Sequence, residues 1–331
     1  MVAELAAGRR PTIIDVAKRA GVSKSLASRA LRGDAGVSTS SRDLVLDAAQ
    51  ELGYRPNSAA RSLVRGISGL VGVVLNQLDN QHHTGIVQGV QERAKELNAR
   101  VIIGNGAQNP EELQRQIDTM IELRVDGLVI VSSWVPRQVL ERAGSEVPTV
   151  VLTHLADPPA EVDTIASDDV YGAQLAVEHL VQAGHQRIAY LSRSASATSQ
   201  ARIDGVVLAL EAAGLPCTLL QVDAGDDINL QELRASGVNA VLCNNDLTAA
   251  EVIRLAHEQQ VQVPGQLAVI GYDNTALARL LYPSLTSIDQ PQVNMGRRAV
   301  DAIAERTAGR TEALRELYTP QLVVRSSTAQ P

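Results

Sequence analysis

Five hydrogen-bond donors, Lys24, Ser25, Ser28, Arg29 and Arg32, crowd into nine residues of a 331-residue chain. At about 100° per residue they share an arc of about 140° on a helix, and no acid joins them. Leu26, Ala27, Ala30 and Leu31 take the opposite arc, which is small and apolar. Such a face suits the base edges and phosphates of a DNA major groove; the alternative is a solvated face on an ordinary helical hairpin. The flanking residues must hold it. Thr12 with Asp15 reads as an N-cap and a capping-box-like partner for a first helix through about Arg19. Gly21 breaks that helix, Val22 packs into the corner, and Ser23 caps the donor-bearing helix. Ser40 with Asp43 can cap a third helix, with Leu44, Val45, Ala48, Ala49 and Leu52 as its packing side, ending at Gly53 before Pro56. Arg42, on its first turn, is placed to reach phosphate.

The overall charge of −7 hides an asymmetry: residues 1–68 hold 11 Lys/Arg and 6 Asp/Glu, a net +5, and the rest of the chain carries −12. A basic head on an acidic body fits a module that docks on phosphate while its body stays clear. The segment 57–64 has an N-cap candidate in Asn57 but is too short for a stable isolated helix. It is either a frayed linker or a hinge that folds on DNA and offers Leu63 as an apolar wedge. Cys217 and Cys243 lie beside apolar runs without metal-ligand spacing and read as small core residues. No apolar stretch approaches the length of a membrane span or secretory core, so a cytoplasmic protein is expected.

From Gly69 the pattern becomes strand–helix alternation. Apolar runs at 69–75, 100–104, 125–131 and 149–152 are separated by helical patterns near 84–97, 110–123 and 136–143. A second series follows at 164–166, 187–191, 218–222, 240–243 and 267–272, with helices near 170–183, 199–213 and 246–259. Nearly continuous apolar strands with helical crossovers predict parallel sheets covered on both faces. Two series predict two doubly wound lobes with a shared cleft at the strand C-terminal ends. The small-residue loop 192–200 is placed to rim it. An enzyme is disfavoured, because no nucleophile elbow, phosphate-cradling glycine loop or metal motif is present.

The motifs TIxDVAxxAGVS (12–23), SRxL (28–31), Val37-Ser38 with Arg42, and AAxELGYxPNxxARSL (48–63) run in order through the head. The body adds VDGL (125–128), GxxxA (172–176), GHxRI (184–188), ARxxG (201–205), Asn245-Asp246 and Gly271-Tyr272-Asp273. Together they resemble the lactose-repressor/purine-repressor (LacI-type) family of bacterial transcriptional regulators over about residues 12–327. The resemblance implies an all-α helix-turn-helix head plus two doubly wound α/β lobes of the periplasmic-binding-protein kind. Its boundaries would be 10–56 for the head, 57–66 for a hinge, and 67–331 for the effector-binding and dimerisation body. Within the body the N-lobe would take about 67–162 plus 291–318, and the C-lobe about 163–290 plus 319–331.

By the same resemblance, Lys24, Ser25, Ser28 and Arg29 contact bases, with Arg29 favoured for bidentate contact with a guanine. Thr12, Ser23, Ser38, Arg42, Tyr54 and Asn57 position the head on the backbone, and Ala60 and Leu63 form the minor-groove hinge. Arg202, Asp273 and Asn245 would hold a small effector, favoured as a sugar or sugar derivative. Where many members have Asn-Pro followed by two aromatics, this chain has Asn80-Gln81-His82-His83. It has no Phe and is only 2% aromatic, leaving Trp134, Tyr171 and Tyr272 as stacking candidates. His82, His83, Ser133, His154, Ser196 and Thr198 complete the expected lining. No metal or cofactor is implied. The expected protein is a dimeric repressor of a near-palindromic operator; a two-lobed receptor without a DNA role is the alternative.

Overall fold

The computed structural model describes residues 11–54, 67–223 and 226–328, and the chain divides into two units, 1–68 and 69–331. Asn57, Ala60 and Leu63 lie outside the described residues.

The head has three helices, α1 (Ile13–Arg19), α2 (Lys24–Arg32) and α3 (Thr39–Glu51). The capping box at Thr12 and Asp15 is formed in both directions, and Ser23 Oγ accepts from the Leu26 amide at 3.1 Å. Gly21 turns the corner at φ +67°, a backbone that costs Gly little and other residues more. Val16, Ala17, Ala27, Ala30, Val45, Ala48 and Ala49 make one core, with Val22 and Tyr54 packed against it. Burial of each valine contributes about 1.5–3 kcal/mol. Two expectations for α3 are corrected. Its cap is Ser38, whose Oγ accepts from the Ser41 amide at 3.2 Å, so Ser40 lies inside the helix. Leu44 is 56% exposed, one position off the stripe through Val45, Ala48 and Ala49.

The body builds two six-stranded sheets. In the first lobe, β1 (Leu70–Leu75), β2 (Arg100–Asn105), β3 (Gly127–Val131), β4 (Thr149–Val151), β5 (Asp163–Ser167) and β11 (Arg315–Tyr318) lie in the order β11-β5-β4-β3-β1-β2. In the second, β6 (Ile188–Ser192), β7 (Thr218–Gln221), β8 (Ala240–Cys243), β9 (Ala268–Tyr272), β10 (Thr286–Asp289) and β12 (Gln321–Val323) follow the order β12-β10-β9-β8-β6-β7. All pairings are parallel except β10 with β12, which is antiparallel. That departs from the all-parallel expectation at one edge.

Helices α4 (Gln81–Glu96), α5 (Pro110–Glu122), α6 (Arg137–Glu146) and α12 (Gln292–Thr307) cover the first sheet. Helices α7 (Asp169–Gln182), α8 (Ala197–Ala212), α9 (Leu230–Ala235), α10 (Asp246–Glu258) and α11 (Ala276–Leu280) belong to the second lobe. Helices α4 and α12 approach so closely that a Cβ on Gly89 would sit 2.0 Å from the Val293 carbonyl oxygen, and one on Gly296 2.1 Å from that of Ile86.

Strand β5 is a correction: expected to open the second lobe, it pairs with β4 and β11 in the first sheet. The reason is Asp163, fully buried, whose carboxylate accepts from Arg306 Nη2 at 2.7 Å and Arg310 Nη2 at 2.6 Å. Those arginines follow from α12, so the anchor fixing β5 in its sheet is supplied some 140 residues later. The chain therefore crosses between lobes after β5, after β10 and after β11. Cys243 is core as expected, but Cys217 is exposed, just ahead of the edge strand β7.

Candidate functional site

On the head, Lys24, Ser25 and Arg29 are exposed along one face of α2, and Ser28 is half-buried. Arg29 Nη2 donates to the Ala35 carbonyl at 2.9 Å. Arg32 donates from Nη1 to Ser28 Oγ at 2.5 Å and pairs with Asp34 at 2.7 Å. Arg42 Nη2 donates to the Asp34 carbonyl at 2.9 Å, while its Nε is shielded without a partner among the described residues. The loop 33–36 is thus gathered by three guanidinium groups, two of which are predicted DNA contacts. Thr12, Ser23 and Ser38 each cap a helix, so each marks a helix N-terminus, where amide groups and the helix dipole favour phosphate. Tyr54 is half-buried, packed against the head core.

In the body, a cavity of about 440 Å³ opens where the strands of both sheets end. Its lining includes Arg202, Asp273, Asn245, His82, His83, Ser133, Trp134, His154, Ser196 and Thr198, so ten of the eleven predicted effector residues are brought together from both lobes. Tyr171 is not among them. On α7, Asp169, Gly172, Ala173 and Ala176 face inward, and Tyr171 lies about 200° from Asp169 and is 41% exposed. Tyr272 is fully buried and forms a floor: the Arg202 guanidinium carbon stands 3.5 Å from its ring centroid, a cation–π contact that fixes the arginine. Trp134 is the aromatic left in the cavity lining.

Arg202 is buried, donating from Nε to Asp169 Oδ1 at 2.7 Å and from Nη1 to the Asn244 carbonyl. Burial opposes its charge, but Asp169, Tyr272 and Asp273 more than restore it, and it stays cationic. Asp273 is also buried and sits at φ +102°, a strained backbone of the kind that persists where surrounding contacts over-determine it. Its Oδ1 accepts from Gln290 Nε2 at 2.6 Å. Burial raises the Asp273 pKa to about 7, against the pull of Arg202. Next to it, buried Asp246 accepts from Ser287 Oγ at 2.6 Å and from the Thr275 amide at 2.7 Å. Burial, then the charge of Asp273, pushes it up to about 7 as well.

His82 and His83 are both lowered to about 4, chiefly by burial and then by Arg202 and His82 respectively. They are neutral hydrogen-bonding groups at physiological pH, which suits a polar ligand. His83 Nδ1 lies 2.6 Å from the Gln77 carbonyl, which requires Nδ1 to donate. The lobes are bridged by Gln292 Nε2 donating to the Asp273 carbonyl at 2.5 Å and by the Thr153 and Thr198 hydroxyls at 2.9 Å. Asn245 Oδ1 is occupied in capping α10, and Ser196 Oγ in capping α8.

Sequence reading missed Asp169, Asn244 and Gln290. Asp169 carried a usable signal, an acid opening a helix directly after a strand. Gln290 carried none, because the polar strand β10 before it was not recognised.

A three-helix head with a donor face, and a two-lobed body with a polar cleft at its strand ends, define a DNA-binding regulator with a small-molecule pocket. Residues 12–57 match the family model of bacterial regulatory proteins of the lacI family, and residues 177–328 the periplasmic binding protein-like domain. The chain is 32% identical to the HTH-type transcriptional regulator GalR of Escherichia coli K12, over 97% of this chain and 96% of that protein. Its fold matches the lac repressor dimer bound to operator and the anti-inducer ONPF, with TM-score 0.84, 29% identity, and coverage of 97% and 100%. It also matches the transcriptional regulator CelR–cellobiose complex, with TM-score 0.68, 29% identity, and coverage of 96% and 100%. The chain belongs to the lacI family of bacterial regulatory proteins and is a transcriptional regulator, not an enzyme. No helix among the described residues is long and apolar enough to cross a membrane.

Proposed function

We propose that the protein is a repressor that binds a near-palindromic operator as a homodimer in the cytoplasm, and that a neutral sugar in the cleft sets its operator affinity. The observation that carries the effector half is the buried set around Arg202: one fixed cation, one acceptor in Asp273, and hydroxyl and amide groups from both lobes. A donor and an acceptor facing one cavity suit vicinal hydroxyls. The described charged side chains lining the cavity, Asp169, Arg193, Arg202, Glu251 and Asp273, leave no cation in excess for an anionic ligand. On the DNA side, Arg29 is the base-reading residue, Lys24, Ser25 and Ser28 its neighbours in the groove, and Arg42 with the three helix N-termini the phosphate contacts. Asn57 is a further backbone contact, and Ala60 and Leu63 are the hinge that meets the minor groove.

A thermal-shift screen of neutral sugars, sugar phosphates, nucleobases and amino acids tests the reading. Saturation at about a hundred times Kd stabilises by about 2.7 kcal/mol. A neutral sugar hit abolished by Arg202→Ala supports it; a hit confined to phosphates or nucleobases contradicts it.

A further inference from the structure

We propose that Arg32 reads a second guanine in each half-site, next along the groove from the base pair of Arg29, with Asp34 and Ser28 as the positioning residues that aim it. This rests on the operator-binding reading above and adds to it a residue outside the contacts assigned there.

Arg32 lies in the middle of the donor face. At about 100° per residue it falls about 80° from Lys24, on an arc that ends at Arg29 about 140° away, and it is exposed. It stands three residues past Arg29, about 4.5 Å further along the axis of α2, against about 3.4 Å for a base-pair step. A helix lying along the groove with Arg29 on a base edge therefore brings Arg32 to the following base pair.

The side chain is held from both sides. Its Nε and Nη2 donate to Asp34 Oδ2 at 3.0 and 2.7 Å, and its Nη1 donates to Ser28 Oγ at 2.5 Å. The carboxylate is fixed in turn. Gly33 ends α2 at φ +76°, and the Gly33 and Asp34 amides donate to the Ala30 and Arg29 carbonyls, which closes the last turn. The Asp34 carbonyl accepts from Arg42 Nη2 of α3 at 2.9 Å. Asp34 therefore stands where the helix cap and α3 put it. These bonds use one N–H on each guanidinium nitrogen and leave one on each Nη. Two such donors fit O6 and N7 of guanine. Ordering a long side chain normally weakens binding, and here the ordering bonds exist before DNA arrives.

The charge balance selects a base over a phosphate. Asp34 neutralises the guanidinium, and a carboxylate at that point repels a phosphate oxygen. Guanine offers the same paired acceptors without a net charge. Ser28, half-buried on the same face, acts in the groove through Arg32.

In vitro selection of the full chain on duplexes with randomised half-sites gives a consensus. Gel shifts on single-base variants of it, at several salt concentrations, then compare wild type with Arg29→Lys, Arg32→Met, Asp34→Asn and Ser28→Ala. Arg32→Met should cut discrimination at one G·C pair of each half-site by about tenfold or more, at a pair other than the one Arg29→Lys relaxes. It should leave the slope of log K against log salt unchanged. Asp34→Asn and Ser28→Ala should weaken discrimination at the Arg32 pair by smaller factors, and Asp34→Asn should also tighten binding to scrambled duplex. Uniform weakening on every duplex, with the salt slope reduced by about 1, would make Arg32 a phosphate contact and overturn the proposal. So would an Arg32→Met protein with unchanged base preference, or Asp34 and Ser28 variants that act at other pairs. If Arg29→Lys relaxes its base pair and Arg32→Met relaxes none, this inference alone fails. If the wild type selects no duplex, the operator reading fails with it.

Discussion

Replacing Asp163 by Asn tests whether one carboxylate fixes the lobe boundary. The side chain is fully buried and accepts from Arg306, from Arg310 and from the Leu314 amide at 2.8 Å. Burial alone would raise its pKa, but the Arg310 and Arg306 hydrogen bonds win and hold it at about 2, from an ordinary 3.8. A drop of nearly two units is worth about 2.5 kcal/mol at neutral pH. Stranding two half-buried guanidinium groups adds to the loss, which brings it to about 3–5 kcal/mol. The sign follows from the direction of the shift. A depressed acid stabilises above its unfolded pKa, so the contribution is whole above about pH 5 and lost as pH falls toward 2. Near pH 3 about half remains. Trp134 is the one tryptophan and packs beside the first-lobe core, so its fluorescence in urea follows this lobe. The gap between wild type and Asp163→Asn should be at least about 2.5 kcal/mol at pH 7 and clearly smaller at pH 3. A gap under 1 kcal/mol, or one of equal size at both pH values, would refute the reasoning.

Gly296→Ala should lower the melting temperature sharply, because its Cβ would meet backbone at 2.1 Å and α4 and α12 would have to part. Gly184→Ala has open space but φ +88° and should cost only about 1 kcal/mol; equal losses would contradict the close-approach account. Asp246 and Asp273, both raised to about 7, hold protons in the native state that the unfolded chain releases near pH 4. They make stability fall as pH rises through about 4 to 7, opposing the lowered histidines. Denaturation at pH 5 and 8 should therefore show wild type losing more stability than Asp246→Asn, and parallel losses would sink the assignment. On DNA, Arg29→Lys should relax the choice of base at one position by about 1–3 kcal/mol. Arg42→Ala should weaken specific and nonspecific sites alike, as gel shifts on matched and scrambled duplexes would show.

Most of the architecture was readable because apolar runs announce buried strands and small polar caps announce helices. Thr12, Ser23, the α2 face and nine strands follow from those signals. The strands that escaped were the polar ones. TSID at β10 holds Thr286 and Ser287 fully buried because Asp246 accepts from the Ser287 hydroxyl, Ser327 Oγ accepts from the Thr286 amide, and the Thr286 hydroxyl pairs with that of Thr328, and RELY at β11 is an edge. The lobe boundary escaped for a related reason, since the anchor of β5 comes from Arg306 in the last turn of α12 and Arg310 just beyond it. At the site, Arg202 and Asp273 came from the resemblance, while Asp169 and Gln290, which hold them, depend on pairings across the fold that no local pattern carries. Tyr171 failed on helix phase, and Tyr272 because a strand-end aromatic can as easily floor a pocket as wall it.

The most direct measurement is linkage between the two sites. A duplex chosen by in vitro selection is titrated with the protein, with and without the sugar found by thermal shift, and the sugar is titrated with and without the duplex. Coupling of about 1–3 kcal/mol changes each affinity by roughly 5–150-fold and must be equal in both directions. The account predicts that coupling in the wild type and its loss in Arg202→Ala with DNA binding intact. A sugar that binds the cleft yet leaves duplex affinity unchanged, or a protein that selects no duplex, would contradict it.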